Sequence, residues 1–301
     1  MSEQKQVIFD ATLLSSLMSC ARKSQVRFVK NKSAMGGKSN SLETGSLAHF
    51  ILEYFNKARI AGHDRIRAME IGFAAGYEYI EGYSESNKYM KDANHVGLTN
   101  TPEISEGYMI GWQYVIETME QYFEFWKNDS FTPIAAEEVK GIILFESDEL
   151  RVLWKAKFDL IVDTPHGLMP QDYKTMRQNR DHVSLNNQFM GQCTITNSRH
   201  MLVEKIGFQK SLKPQDKFIR ALIPYTADRL WEWRTEIVPY WAWQLVQYNE
   251  TGYFPPNFTN CDGKYGTCEY KSYCETDRTL REEVLEREFV DTPIWDPKND
   301  Q

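Results

Sequence analysis

Two acids and an amine lie close together in the middle of this chain. The segment Lys157-Phe158-Asp159-Leu160-Ile161-Val162 sets one carboxylate inside an apolar strand, and Gln171-Asp172-Tyr173-Lys174-Thr175 follows after the turn-forming run Thr164-Pro165-His166-Gly167. Strand side chains alternate faces, so Asp172 and Lys174 share one face. The turn lets the Asp159 strand run back beside them. Charges in strand centres are costly to bury unless paired or bound to metal, so the arrangement is either an Asp–Lys salt bridge or a catalytic cation site. Upstream, Gly45, His49 and Glu53 are spaced four apart, on one face of a helix. Gly45 leaves room one turn before His49, and Glu53 stands where it can orient the imidazole. Imidazole with carboxylates suits Mg²⁺ or Mn²⁺.

The five cysteines are unevenly placed. Cys261, Cys268 and Cys274 fall within Cys-Asp-Gly-Lys-Tyr-Gly-Thr-Cys-Glu-Tyr-Lys-Ser-Tyr-Cys, Cys20 lies near the start, and Cys193 is central. Three clustered thiols are one short of a four-thiolate site, and Cys20 is the natural fourth. Structural zinc pairs have spacers of ~2–4 residues. The wider spacing here suits an iron–sulfur cluster better. A shared centre on Cys20 and Cys261 would tie the first helix to the last loop, a closure worth roughly 5 kcal/mol by analogy with a disulfide. Cys193 is expected to be a small buried residue.

The elements that must carry these groups can be read from periodicity and punctuation. A first helix is expected from a cap at Asp10 through about Lys30, then a loop over Asn31–Asn40 broken at Gly36-Gly37. Helices follow from about Thr44 to Ala61, from a cap at Asp64 to about Tyr83, and from Thr101-Pro102 to about Asn128. A hairpin over 134–146 and 150–162, a third strand over 168–175, a helix over about 184–197 and strands over 199–208 and 218–225 make a sheet. A tryptophan-rich helix then runs from Asp228 to about Glu250, kinked at Pro239. The expected fold is α/β: a central mixed β-sheet flanked by helices, with an N-terminal helical insertion (about 62–130), a catalytic sheet (about 134–226) and a C-terminal cysteine loop. Residues 1–274 form one domain closed by the four cysteines, and 275–301 form a charged tail.

Composition sets the outer limits. The chain has 301 residues, 42% hydrophobic and 26% charged, enough to bury a core and unlike a disordered chain. No apolar run approaches the ~20 residues that span a bilayer, and the N-terminus has no secretory h-region, so a cytoplasmic protein with no membrane partner is expected. The net charge of −7 argues against a passive nucleic-acid coat but not against an enzyme with local basic patches.

Taken in order, Gly-x-x-x-His-x-x-x-Glu, an Asp in an apolar strand, Asp-Tyr-Lys-Thr, a helix with Gln, and one early and three late cysteines resemble the RecB/AddB-like branch of the PD-(D/E)XK nuclease superfamily. That branch includes CRISPR-associated RecB-like exonucleases and related phage proteins. The likeness runs from about Cys20 to Cys274. It implies a restriction-endonuclease-like core and metal-dependent hydrolysis of DNA, as an exonuclease on ends with single-strand preference. An endonuclease, or an iron–sulfur DNA-binding subunit acting with recombination or repair proteins, are the alternatives. Position by position, it implies that His49, Asp159, Asp172 and the Tyr173 carbonyl hold Mg²⁺ or Mn²⁺. Lys174 becomes the catalytic lysine, and Cys20, Cys261, Cys268 and Cys274 hold a 4Fe–4S cluster. Gln188 matches the glutamine of the family's Gln-x-x-x-Tyr helix motif, although Gln192 stands in place of the tyrosine. Cationic contacts to the DNA backbone are expected from Arg22, Lys23 and Arg27, with Lys30, Lys32 and Lys38 nearby, and from Arg177 and Arg180.

Overall fold

A computed structural model of the chain describes residues 4–34, 40–92, 102–176, 185–263 and 266–293, with 40–43, 83–92 and 102–110 described by backbone alone. The elements begin with β1 (Lys5–Phe9), α1 (Ala11–Ser19), α2 (Ala21–Ser24), β2 (Lys32–Ala34), α3 (Asn40–Ile60), α4 (Arg65–Asp92) and α5 (Pro102–Phe125). Next come β3 (Thr132–Glu146), β4 (Leu150–Thr164), β5 (Gly167–Met176), α6 (Asn187–Thr196), β6 (His200–Gly207), α7 (Pro214–Lys217) and β7 (Phe218–Pro224). The chain continues with α8 (Ala227–Glu232), α9 (Val238–Thr251), β8 (Asp262–Gly263), β9 (Gly266–Thr267), α10 (Lys271–Glu275), α11 (Arg281–Glu288) and β10 (Phe289–Asp291).

The protein is α/β, with a central mixed sheet between helices. The order β1-β4-β5-β6-β7 combines parallel β1–β4 and β5–β6 pairs with antiparallel β4–β5 and β6–β7 pairs, and β3 pairs antiparallel with β4. One apolar layer gathers α1, α6 and α9 on one face, around Trp154, Phe158, Phe189 and Trp233. The other gathers α3 and α5 on the opposite face, around Leu47, Ile51, Trp112, Phe123 and Tyr173. Burial of these large side chains supplies the main driving force for the sandwich. Among the described residues no helix is long and apolar enough to cross a membrane.

Several expectations are met closely and others change. The hairpin, the third strand, the helix with Gln188 and the two later strands fall where alternation and turns put them. The first helix does not run unbroken to Lys30. Asp10 caps it, with its Oδ1 accepting from the Leu13 N–H at 2.6 Å, but Cys20 is extended and separates α1 from α2 and a π-helical turn over Gln25–Val29. The strand β1 ahead of it was not expected. Five residues carry too little periodicity to announce a strand, and β1 is defined by pairing with β4, 145 positions away. The tryptophan-rich segment is capped by Thr226, whose hydroxyl accepts from Arg229 N–H, and a π-turn over Trp233–Ile237 precedes Pro239. The charged stretch from 275 includes a peripheral helix and a short strand as far as Asp291. In it, α11 packs Val284 and Leu285 against Val26, Tyr270 and Tyr273, and β10 pairs with β2.

Candidate active site and cysteine pocket

The long strand β4 serves two cores. Trp154, Ala156 and Phe158 face one layer, whereas Leu160 and Val162 face the other, so alternation breaks at Asp159. Opposite the break, the β3–β4 ladder passes from Glu138–Phe158 to Ala136–Leu160, and Glu137 between them takes φ +54°. A non-glycine residue in the left-handed region is uncommon and stores strain. The switch turns Asp159 toward β5, where its Oδ2 accepts the Tyr173 N–H at 2.9 Å.

Beside it on β5, Asp172 and Lys174 share a face as alternation requires. Lys174 Nζ is 2.6 Å from Asp172 Oδ2. The contact is an ion pair off the axis of a hydrogen bond, since Oδ2 of this buried carboxylate receives no aligned donor. The other oxygen, Oδ1, accepts from Gln188 Nε2 at 2.8 Å. The four-residue step to Gln192 also has a use: Gln192 Nε2 donates to the Lys157 carbonyl at 3.0 Å. Helix α6 is thus pinned to two strands by two glutamines one turn apart.

Helix α3 brings in the imidazole. Gly45 is required for its approach, because a Cβ there would stand 2.8 Å from the Thr175 hydroxyl. One turn on, His49 Nδ1 lies 3.5 Å from Asp159 Oδ2, and a backbone hydrogen bond joins the ring to Tyr173. Desolvation lowers the His49 pKa, with Asp172 opposing the shift. Glu53 does not orient the ring, as its carboxylate accepts from Lys57 at 2.5 Å. Burial first, then the neighbouring Asp172, pushes the Asp159 carboxyl up to about 7. A buried acid raised by burial and by a neighbouring carboxylate creates demand for a cation.

Sequence reasoning missed Glu137. Its carboxylate lies 2.8 Å from Lys157 Nζ and bears electrostatically on both His49 and Asp159. A positive φ has no signature in a residue type other than glycine, so only the structure could reveal it.

Four of the five thiols also converge. Cys20, Cys261, Cys268 and Cys274 line one cavity of about 340 Å³, while Cys193 is buried in the main core. The loop is folded by the Cys268 N–H donating to the Cys261 carbonyl at 2.7 Å, and Asn257 and Asn260 tie it to the Ser19 carbonyl. Burial, then Cys268 and Cys20, raises the Cys261 thiol; burial also raises Cys274, against the pull of Arg22.

The basic residues expected at the DNA divide. Arg22 turns to Cys274, Lys23 pairs with Glu269 at 3.1 Å on the wall of the thiol cavity, and Arg27 lies over Phe28. Lys30 pairs with Glu282 and Lys32 with Asp291. Arg177, Arg180 and Lys38 lie outside the described residues.

Among the described residues no group of three or more His, Cys, Asp or Glu side chains is placed to hold a metal ion. The donors nonetheless fit the two groups the sequence implied. A buried Asp172 oxygen without an aligned donor, an opposing acid, an imidazole and a peptide carbonyl suit a hard divalent cation. Four thiols around one cavity suit an all-thiolate centre.

No protein-family model matches the chain, and no curated protein matches it. Five solved chains match. One, described as the crystal structure of SSO0001, is 13% identical with a TM-score of 0.35, over 65% of this chain and 96% of that one. At that level the likeness does not bear on the site. The class is therefore defined by the molecule itself: an α/β protein with an acid–acid–lysine–imidazole cluster on its sheet and a thiol-lined cavity at its C-terminal loop.

Proposed function

We propose that this protein is a divalent-metal-dependent nuclease that hydrolyses DNA phosphodiester bonds, an exonuclease acting on ends with single-strand preference. The observation that carries the reading is the convergence of Asp159, Asp172, Lys174, His49 and the Tyr173 backbone, with Gln188 braced on Asp172. In this reading the central sheet is a restriction-endonuclease-like core.

Enzymes remove roughly 8–23 kcal/mol of barrier, and phosphate hydrolysis demands the upper part of that range. One general base supplies only ~10²–10⁴-fold, so a cluster is needed. Asp159, Asp172, His49 and the Tyr173 carbonyl would hold Mg²⁺ or Mn²⁺, which when bound acidifies water and polarises a phosphoryl oxygen. Lys174 holds the attacking water and offsets negative charge growing on the phosphoryl oxygens. Gln188 fixes the Asp172 carboxylate through Oδ1, and Oδ2, in the ion pair with Lys174, would be the oxygen that ligates. Tyr173 N–H fixes Asp159 in the same way.

Cys20, Cys261, Cys268 and Cys274 would hold a 4Fe–4S cluster with a structural role, joining the start of the chain to its last loop.

The test is degradation of end-labelled linear DNA against closed circles with Mg²⁺ or Mn²⁺. The wild type is expected to shorten linear DNA and spare circles. Lys174→Ala is expected to bind DNA without cutting it. Equal cutting by both would show the site misassigned.

A further inference from the structure

The sheet contains a split. One edge of β4 pairs with β3, so β1 and β5 must share the other edge. On that edge β1 reaches only Trp154 and β5 begins only at Leu160. Positions 155–159 therefore face neither strand, and α6 covers part of the gap through Gln192 and the Lys157 carbonyl. Above the split lies a cavity of about 210 Å³, lined by Asp10, Thr12, Lys155, Lys157 and Gln188 among others. It adjoins the candidate active site through Gln188, which lines the cavity and donates to Asp172.

The residues along its floor form a series. Lys155 and Lys157 are two apart ahead of the break at Asp159, so they follow one another on one face of β4 about 6.7 Å apart. That step is of the same order as the separation of successive phosphates along an extended strand. In the wall, Asp10 Oδ1 accepts from Leu13 N–H. The other acid nearby, Glu137, holds Lys157 at 2.8 Å.

We propose that this cleft is the track for the substrate's sugar–phosphate backbone, with Lys155 and Lys157 contacting two successive phosphates on one side of the scissile one. The proposal rests on the nuclease reading and names the path by which the strand reaches that site. The ion pair between Lys157 and Glu137 is its built-in competitor: a phosphate displaces Glu137 from Lys157.

Equilibrium binding of a labelled single-stranded oligodeoxynucleotide, measured across salt concentrations on a Lys174→Ala background, tests it. Each phosphate contact contributes about 0.7 to the log–log salt slope on single strands. Adding Lys155→Gln and Lys157→Gln is expected to lower the slope by about 1.4. Adding Lys127→Gln and Lys213→Gln, at exposed positions outside the cleft, is expected to leave it unchanged. Glu137→Gln is expected to tighten binding about two- to fivefold, the range of an exposed ion pair released. Equal slopes for the two lysine pairs would overturn the proposal, as would a slope loss confined to an oligoribonucleotide. Cutting by the unsubstituted chain is scored separately. Cutting with no slope loss sinks the track and leaves the nuclease. Slope loss without cutting keeps the track and sinks the nuclease.

Discussion

Gly191 offers a stringent test of how the site is held, because helix propensity and packing predict opposite results there. Gly191 lies in α6, between Gln188 and Gln192, against the buried ring of Trp154. In an isolated helix, Gly→Ala gains ~1 kcal/mol. Here an added Cβ would meet Trp154 Nε1 at 2.1 Å and Cε2 at 2.4 Å. The indole is rigid and wedged edge-to-face against Trp233 at 4.9 Å, so it cannot yield. Overpacking costs ~1–3 kcal/mol, occasionally more, and contacts this short belong at the top of that range. The net expectation for Gly191→Ala is a loss of about 2 kcal/mol. Chains of 150–250 residues shift by ~2–4 °C per kcal/mol, so the melting midpoint should fall by several degrees. Displacing α6 also draws Gln188 from Asp172, so under the proposed nuclease reading the cutting rate should fall more than the midpoint alone implies. Trp154→Phe removes the part of the ring that clashes, and in the double variant the two substitutions should cost less than the sum of the singles, with a coupling of at least ~0.5 kcal/mol. A midpoint that holds or rises in Gly191→Ala, or a cycle that is merely additive, would refute this account of α6.

The remaining predictions are simpler. Cys20→Ser should lose iron and sulfide and the absorbance near ~400 nm expected of thiolate-bound iron after anaerobic purification, whereas Cys193→Ser should keep them. Retained iron in Cys20→Ser would remove it from the ligand set. Burial pushes the Glu204 carboxyl up to about 7, against the pull of Arg220. A raised carboxyl binds its proton more tightly folded than unfolded, so its stabilising contribution is complete below the usual glutamate range and is lost as pH rises through about 7. Glu204→Gln should therefore flatten the decline in stability between pH 5 and 8, read by urea unfolding. Tyr173→Phe leaves the Asn56 amide, which donates to the Tyr173 hydroxyl at 3.0 Å, without that partner. The same unfolding assay should show a loss of ~1–3 kcal/mol.

Local pattern sufficed for the parts of this molecule whose chemistry is short-ranged. Alternation fixed β4, β5 and the shared face of Asp172 and Lys174, because the pleat has a period of two wherever a strand forms. The four-residue step from Gly45 to His49 was readable for the same kind of reason, although its need was not: the Thr175 hydroxyl that excludes a side chain at Gly45 comes from another strand. Spacing grouped the three late cysteines, and Cys20 joined them because the chain between them folds back on itself. What pattern could not supply were features made by distant partners. The strand β1 exists through its ladder to β4, and β10 through its pairing with β2. Glu53 looked like the orienting acid for His49, yet an adjacent Lys57 claims it and Asp159 takes its place. The same holds for the basic residues near the N-terminus, which sit at the thiol cavity or pair with acids of the C-terminal segment. By itself, then, the sequence determined which residues carry charge, imidazole and thiol, and which faces of their own elements they occupy. Only the tertiary structure decided which of them meet, because the twist at Glu137, the split between β1 and β5 and the close seat of α6 on Trp154 each depend on contacts between segments far apart in the chain.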